Sequence, residues 1–213
     1  MRWGLGCGAL LCAFAPMAVR ADLINGDFAD FNGWQGTVID SFTLDATTTD
    51  PASGPNFALG GGGTAVLSDS FEFFTASLRQ EFTMNAGATE LAFDYGWTLT
   101  SDTSNPDLGL DFVQAVLIDT VTNTVLNLLD GVDTSASLQP MAHAMVDVSQ
   151  YSGRAMAIEF LIQDGDFNEA DSFRFGNIAV SGAPVTVPEP SSIGLFGVGL
   201  VAIWLLRRRK IFE

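Results

Sequence analysis

The 213-residue sequence predicts an all-β domain, a two-sheet antiparallel sandwich, flanked by an N-terminal signal peptide and a C-terminal transmembrane helix. Three observations carry this reading. Apolar residues recur with period two, as on a strand with one buried face. No amphipathic helix of useful length occurs between Asp22 and Ala183. The stretches between the strands, such as Thr47 to Asn56 and Gly60 to Gly63, are loops rich in Gly, Asp, Thr and Ser. The chain is 47% hydrophobic and only 16% charged, which argues against disorder, and its length suits one domain with tails.

Residues 1–21 read as a signal peptide. Arg2 precedes an apolar run from Leu5 to Val19, and Val19-Arg20-Ala21 puts small or compact residues at −3 and −1 of a cut before Asp22. Cys7 and Cys12 leave with it, so the mature protein has no disulfide and no thiol nucleophile.

Residues 22–182 form the sandwich. Leu78, Gln80, Phe82 and Met84 share one face, and Leu91, Phe93, Tyr95, Trp97 and Leu99 share another. Phe112 to Ile118 is apolar on both faces, as in a strand buried between layers. The segment Asp119 to Leu126 turns back around Asn123, which tolerates positive φ. Met156, Ile158, Phe160 and Ile162 resume the period. At Gly176 the phase breaks between Phe173/Phe175 and Ile178/Val180, which a bulge would reconcile. Residues 183–213 are a linker, Pro188-Glu189-Pro190, an apolar stretch from Ile193 to Leu206, and the basic stop Arg207, Arg208, Arg209 and Lys210.

Charge is segregated along the chain. Between Asp22 and Val187 there are 3 basic and 23 acidic residues, a net −20. That excludes nucleic acid as a partner, because phosphates would be repelled. The same stretch has no lysine, no cysteine and one histidine, so Schiff-base chemistry, a Walker-type loop and thiol catalysis lack their essential residue. A glycosidase needs two carboxylates about 5 to 9 Å apart, a spacing this many acids satisfy by chance. His143 reads as a half-exposed structural histidine or as a base or ligand.

The tail resembles the PEP-CTERM sorting signal of exported proteins of Gram-negative bacteria, with Pro188, Glu189 and Pro190 as the motif, Ile193 to Leu206 as the membrane segment and Arg207 to Lys210 as the stop. The resemblance implies that an exosortase, a membrane-embedded transpeptidase, recognises and cleaves it. The chain would pass through an inner-membrane intermediate to the envelope, the surface or an extracellular matrix. A plain C-terminal anchor is the alternative. From Ser191, sixteen helical residues would reach about 24 Å, against roughly 30 Å of hydrocarbon.

The domain resembles the jelly-roll sandwiches of galactose-binding-like domains and carbohydrate-binding modules. The residues are Asn25-Gly26-Asp27-Phe28 with Gly33-Trp34, Leu91 to Tyr95, Val146 to Gly153, and Asp171 to Val180. The resemblance implies a jelly-roll-like course and a polysaccharide ligand.

Two candidate sites follow from the residues. Sugar binding needs aromatic platforms, for which Trp34 and Trp97 are candidates, with a core role open for each. In Asp164-Gly165-Asp166-Phe167-Asn168-Glu169-Ala170-Asp171, oxygen ligands recur around a glycine. Asp164, Asp166, Asn168 and Asp171 would wrap Ca2+, the alternative being a solvated acidic hairpin loop; the spacing is not that of an EF-hand. The function expected is that of an exported, non-catalytic surface or matrix protein that binds polysaccharide. A glycan-active hydrolase and a purely structural matrix protein are the alternatives.

Overall fold

The computed structural model describes residues 23–70, 72–100, 111–166 and 171–182. Eleven strands are present among them: β1 (Gln35–Asp40), β2 (Ala46–Thr49), β3 (Phe57–Leu59), β4 (Thr64–Ser68), β5 (Phe73–Thr83), β6 (Ala88–Thr98), β7 (Phe112–Asp119), β8 (Val125–Asn127), β9 (Leu138–Asp147), β10 (Ala155–Gln163) and β11 (Ser172–Gly182). One sheet has the order β2-β1-β5-β10-β7-β8 and the other β3-β4-β11-β6-β9. Every pairing is antiparallel. From β4 to β7, and again from β9 to β11, successive strands change sheet, a jelly-roll-like course.

The period-two residues point inward as their alternation requires. Leu91, Phe93, Tyr95, Trp97 and Leu99 from one sheet meet Leu78, Phe82, Met156, Ile158, Phe160 and Ile162 from the other, all buried. At the centre Phe160 of β10 stacks on Phe175 of β11 with ring centroids 3.9 Å apart, and Phe93 meets Phe160 edge-on at 5.6 Å. Gln80, inward on β5, is no exception to apolar burial. Its amide accepts from Ile24 N at 2.8 Å and donates to Ile24 O at 3.0 Å, fastening the segment that precedes β1. That segment buries Phe28 and Trp34 in the core, and Gly26 O accepts from Ile178 N of β11 at 2.8 Å.

The bulge expected at Gly176 is present. Pairing between β11 and β6 shifts register between Gly176 and Ala179, and Asn177 takes up the irregularity at φ +50°. The shift brings Ile178 into the core beside Phe173 and Phe175. Gly176 is forced by proximity: a Cβ there would lie 2.1 Å from Gly63 O. The β7–β8 hairpin closes around Asn123 at φ +56°.

Three expectations are corrected. Thr47 to Asn56 is not all loop, because Ala46–Thr49 adds to the edge of β1 as β2. β7 is not buried alike on both faces: Val113, Ala115 and Leu117 enter the core, whereas Gln114 on the other face is exposed. The transmembrane helix expected as part of the fold class is not found: among the described residues no helix is long and apolar enough to cross a membrane. A single 3-10 turn, Ser149–Tyr151, is the helical element found there. Ile193 to Leu206 lies outside the described residues, and its length falls short of the hydrocarbon core on the arithmetic above. An inner-membrane intermediate loses its support with the helix.

Candidate metal centre

Five aspartates stand at strand ends and converge at one end of the sandwich. Asp69 follows β4, Asp111 precedes β7, Asp164 and Asp166 follow β10, and Asp171 precedes β11. The registers Gln163↔Phe112 and Ser172↔Ser68 explain the meeting, since each sheet ends a paired couple of strands there. Both sheets thus contribute carboxylates to one place. All five side chains are buried, with Asp111 and Asp164 at 1% exposure.

Backbone donors hold the carboxylates in position. Gly165 N donates to Asp111 Oδ1 and Asp166 N to Asp164 Oδ1, both at 2.9 Å. Asp171 N donates to Asp69 Oδ1 at 3.2 Å, and Thr100 N to Asp171 Oδ1 at 2.6 Å. Asp69 Oδ2 and Asp171 Oδ2 are sealed from solvent and accept no hydrogen bond among the described residues. Among the described residues the basic side chains are engaged or placed elsewhere: Arg79 on Glu159, Arg154 on Asp119, His143 on Asp94, and Arg174 beside Gly60.

Uncompensated negative charge in a buried place is costly, so protons are retained. Burial, and after it the Asp171 and Asp164 carboxylates, push Asp69 up to about 8. Burial pushes Asp171 up to about 7 against the opposing Thr100 N–H, with Asp111, Asp164 and Asp166 adding to the rise. A divalent cation is the other way to satisfy such a set. One carboxylate oxygen from each of Asp111, Asp164 and Asp166 lies within 4.8 Å of the others. Oxygens on opposite sides of a Ca2+ at 2.3 to 2.6 Å are at most about 5 Å apart, so one ion fits. Orphaned oxygens and an all-carboxylate donor set both suit a hard cation.

Of the ligands expected from sequence, Asp164, Asp166 and Asp171 come together here, and Asn168 lies outside the described residues. Asp69 and Asp111 were not foreseen. No local spacing announces them, and the only trace is an aspartate abutting each strand end.

Trp34 and Trp97 are both in the core, at 6% and 3% exposure, which corrects their reading as sugar platforms. Trp34 packs on Phe28 and Phe160, and its Nε1 donates to Asn25 O. Trp97 stacks on Tyr95 and donates to Ala136 O at 2.8 Å. Neither offers a ring face to a ligand. The signal peptide, Pro188, Glu189, Pro190 and Arg207 to Lys210 lie outside the described residues.

Residues 186–210 match the model of the PEP-CTERM protein-sorting motif. No curated protein matches the chain. Among solved structures, it is similar to the TmCBM61 module in complex with β-1,4-galactotriose, at 16% identity and a TM-score of 0.46 over 77% of this chain and 99% of that one. It is also similar to a carbohydrate-binding module specific for non-crystalline cellulose, CBM28, at 14% identity and a TM-score of 0.40 over 76% and 94%. The enzymatically active domain of bacteriophage CBA120 tailspike protein 4 is a third, at 11% identity and 0.40 over 76% of this chain and 21% of that one. No residue role transfers to this chain at such distances.

Proposed function

We propose that this chain is an exported, non-catalytic protein whose sandwich is clasped at one end by Ca2+ and whose tail is read and cleaved by an exosortase. Its destination is the envelope, the surface or an extracellular matrix, where polysaccharide is the polymer it meets. The observation that carries the reading is the convergence of Asp69, Asp111, Asp164, Asp166 and Asp171, all buried, from both sheets. An ion there ties β7 and β10 to β4 and β11, a bracing role for a mature domain that has no cysteine to form a disulfide. The five carboxylates are buried rather than set in an open cleft, and His143 pairs with Asp94 on an exposed face. The matched sorting motif supports processing at the tail.

Calorimetric titration of the metal-free mature protein with Ca2+ tests the clasp. We expect one site, and at 1,000 times Kd a stabilisation of about 4 kcal/mol, readable as a raised Tm. Absence of heat together with an unchanged Tm overturns it. Mass spectrometry of protein recovered from the matrix tests the tail: retention of Arg207 to Lys210 overturns the sorting reading. Binding on a glycan array separates a polysaccharide-binding protein from a purely structural one, and release of reducing sugar would replace both with a hydrolase.

A further inference from the structure

We propose that β9 is the surface through which two copies of this chain pair, edge to edge and antiparallel, about a two-fold axis at His143. β9 is the last strand of its sheet, and among the described residues no strand lies along its outer edge. The other edge strands, β2, β3 and β8, are three or four residues long, whereas β9 has ten. Short edges offer little to pair with, but a long one is a template for another strand.

The ladder on the inner side locates the free backbone groups. Val148 N donates to Thr89 O at 3.1 Å, and the register from Glu90↔Asp147 to Tyr95↔Ala142 is unbroken. Residues that face and avert the neighbouring strand alternate along an antiparallel pair, so Ala142, Ala144 and Val146 bond to β6. His143, Met145 and Asp147 therefore turn their N–H and C=O groups to the open edge. Their side chains stand on the outer face with Met141, where Met141 is 50% exposed and Met145 64%. His143 does not obstruct the edge: its Nδ1 lies 2.7 Å from Asp94 Oδ1 on β6, which draws the imidazole inward.

Two observations name a second copy as the occupant. Met141-Ala142-His143-Ala144-Met145 is the same sequence read in either direction. Antiparallel pairing about His143 sets Met141 opposite the second copy's Met145 and Ala142 opposite its Ala144, apolar against apolar and small against small on both sides of the axis. Asp147 then stands opposite Gln139 and not opposite another acid. Charge gives the second observation. A domain at −20 repels copies of itself wherever its carboxylates are dense, and Thr134 to Val146 contains no Asp, Glu, Lys or Arg. The pairing does not depend on the Ca2+ clasp.

Sedimentation of the mature protein over a concentration series tests the pairing. A single strand pair buries little area, so the dimer should have a Kd on the order of 100 µM, tightened by added salt that screens the repulsion. M145P removes an N–H that faces the open edge and none that bonds to β6, so it should melt close to the parent and lose the dimer. The mature protein has no cysteine, so oxidative crosslinking reads the register. A mixture of M141C and M145C should form a disulfide between the two variants, and neither variant alone should form one. In hydrogen exchange, the amides of His143 and Met145 should slow as concentration rises. A protein still monomeric at about 1 mM, a dimer that M145P leaves intact, crosslinking of either variant alone as fast as the mixture, or protection of those amides only when polysaccharide is added would each overturn the proposal.

Discussion

Asp69 and Asp171 give the clasp a pH signature. Both carboxyls hold protons in the metal-free fold to about 8 and about 7, while an unfolded chain releases them near 3.8. Folded pKa values raised in this way contribute stability that is full below the unfolded value and is lost as pH rises through the folded values. Urea unfolding in chelator should therefore show stability falling from about pH 4 to about pH 8. Saturating Ca2+ should abolish that fall and release protons on binding at pH 6; a flat profile in chelator would count against it. Asp164→Asn should cost Ca2+ affinity about tenfold or more, measured by calorimetry, because one charged ligand is gone. Asp119 works in the opposite sense. The Thr122 N–H and the Arg154 guanidinium hold it at about 2, so its contribution is lost only in strong acid. Three of the five clustered aspartates were legible in sequence, because Asp164, Asp166 and Asp171 fall within eight residues. Asp69 and Asp111 were not, because their proximity is made by strand pairing between distant segments.

β11 is the element on which the sheet's irregularity turns. Its first half pairs with β4 and β6 together, and its second half continues with β6 after the register shift. Gly176→Ala would drive a Cβ into Gly63 O and Thr64 Cα, both backbone, and should cost about 3 kcal/mol or more by chemical denaturation. Asn177→Gly should be close to neutral, whereas a β-branched residue at φ +50° should cost about 1 to 2 kcal/mol. Equal stabilities for these variants would mean that the bulge relaxes freely. The phase break between Phe175 and Ile178 disclosed this bulge in advance, because a one-residue slip exchanges faces. Short strands such as β2 and β3 carry no comparable signal. Three or four residues, Ala-Thr-Thr-Thr in β2 and Phe-Ala-Leu in β3, do not define a period, and only pairing with a neighbouring strand makes them strands.

At the scale of the molecule, the two sheets are joined by an aromatic core and by the carboxylate cluster at one end. Phe160→Ala removes the ring that touches Trp34, Phe93, Phe173 and Phe175, and should cost about 3 to 5 kcal/mol and lower Tm by roughly 10 °C. Little change on thermal unfolding would mean that the sheets do not depend on this contact. The sandwich was legible because burial on one face writes a period into the sequence. The membrane span expected from Ile193 to Leu206 lies outside the described residues, among which no helix is long and apolar enough to cross a membrane. The bond from Ile178 N to Gly26 O has a temporal consequence. A chain made and delivered N-terminus first presents Gly26 early and Ile178 about 150 residues later, so the opening segment must wait for the final strand. Assembly therefore finishes at the seam between the first and last segments of the domain. A chain truncated before β11 would lack that seam, and the opening segment would remain a target for proteases.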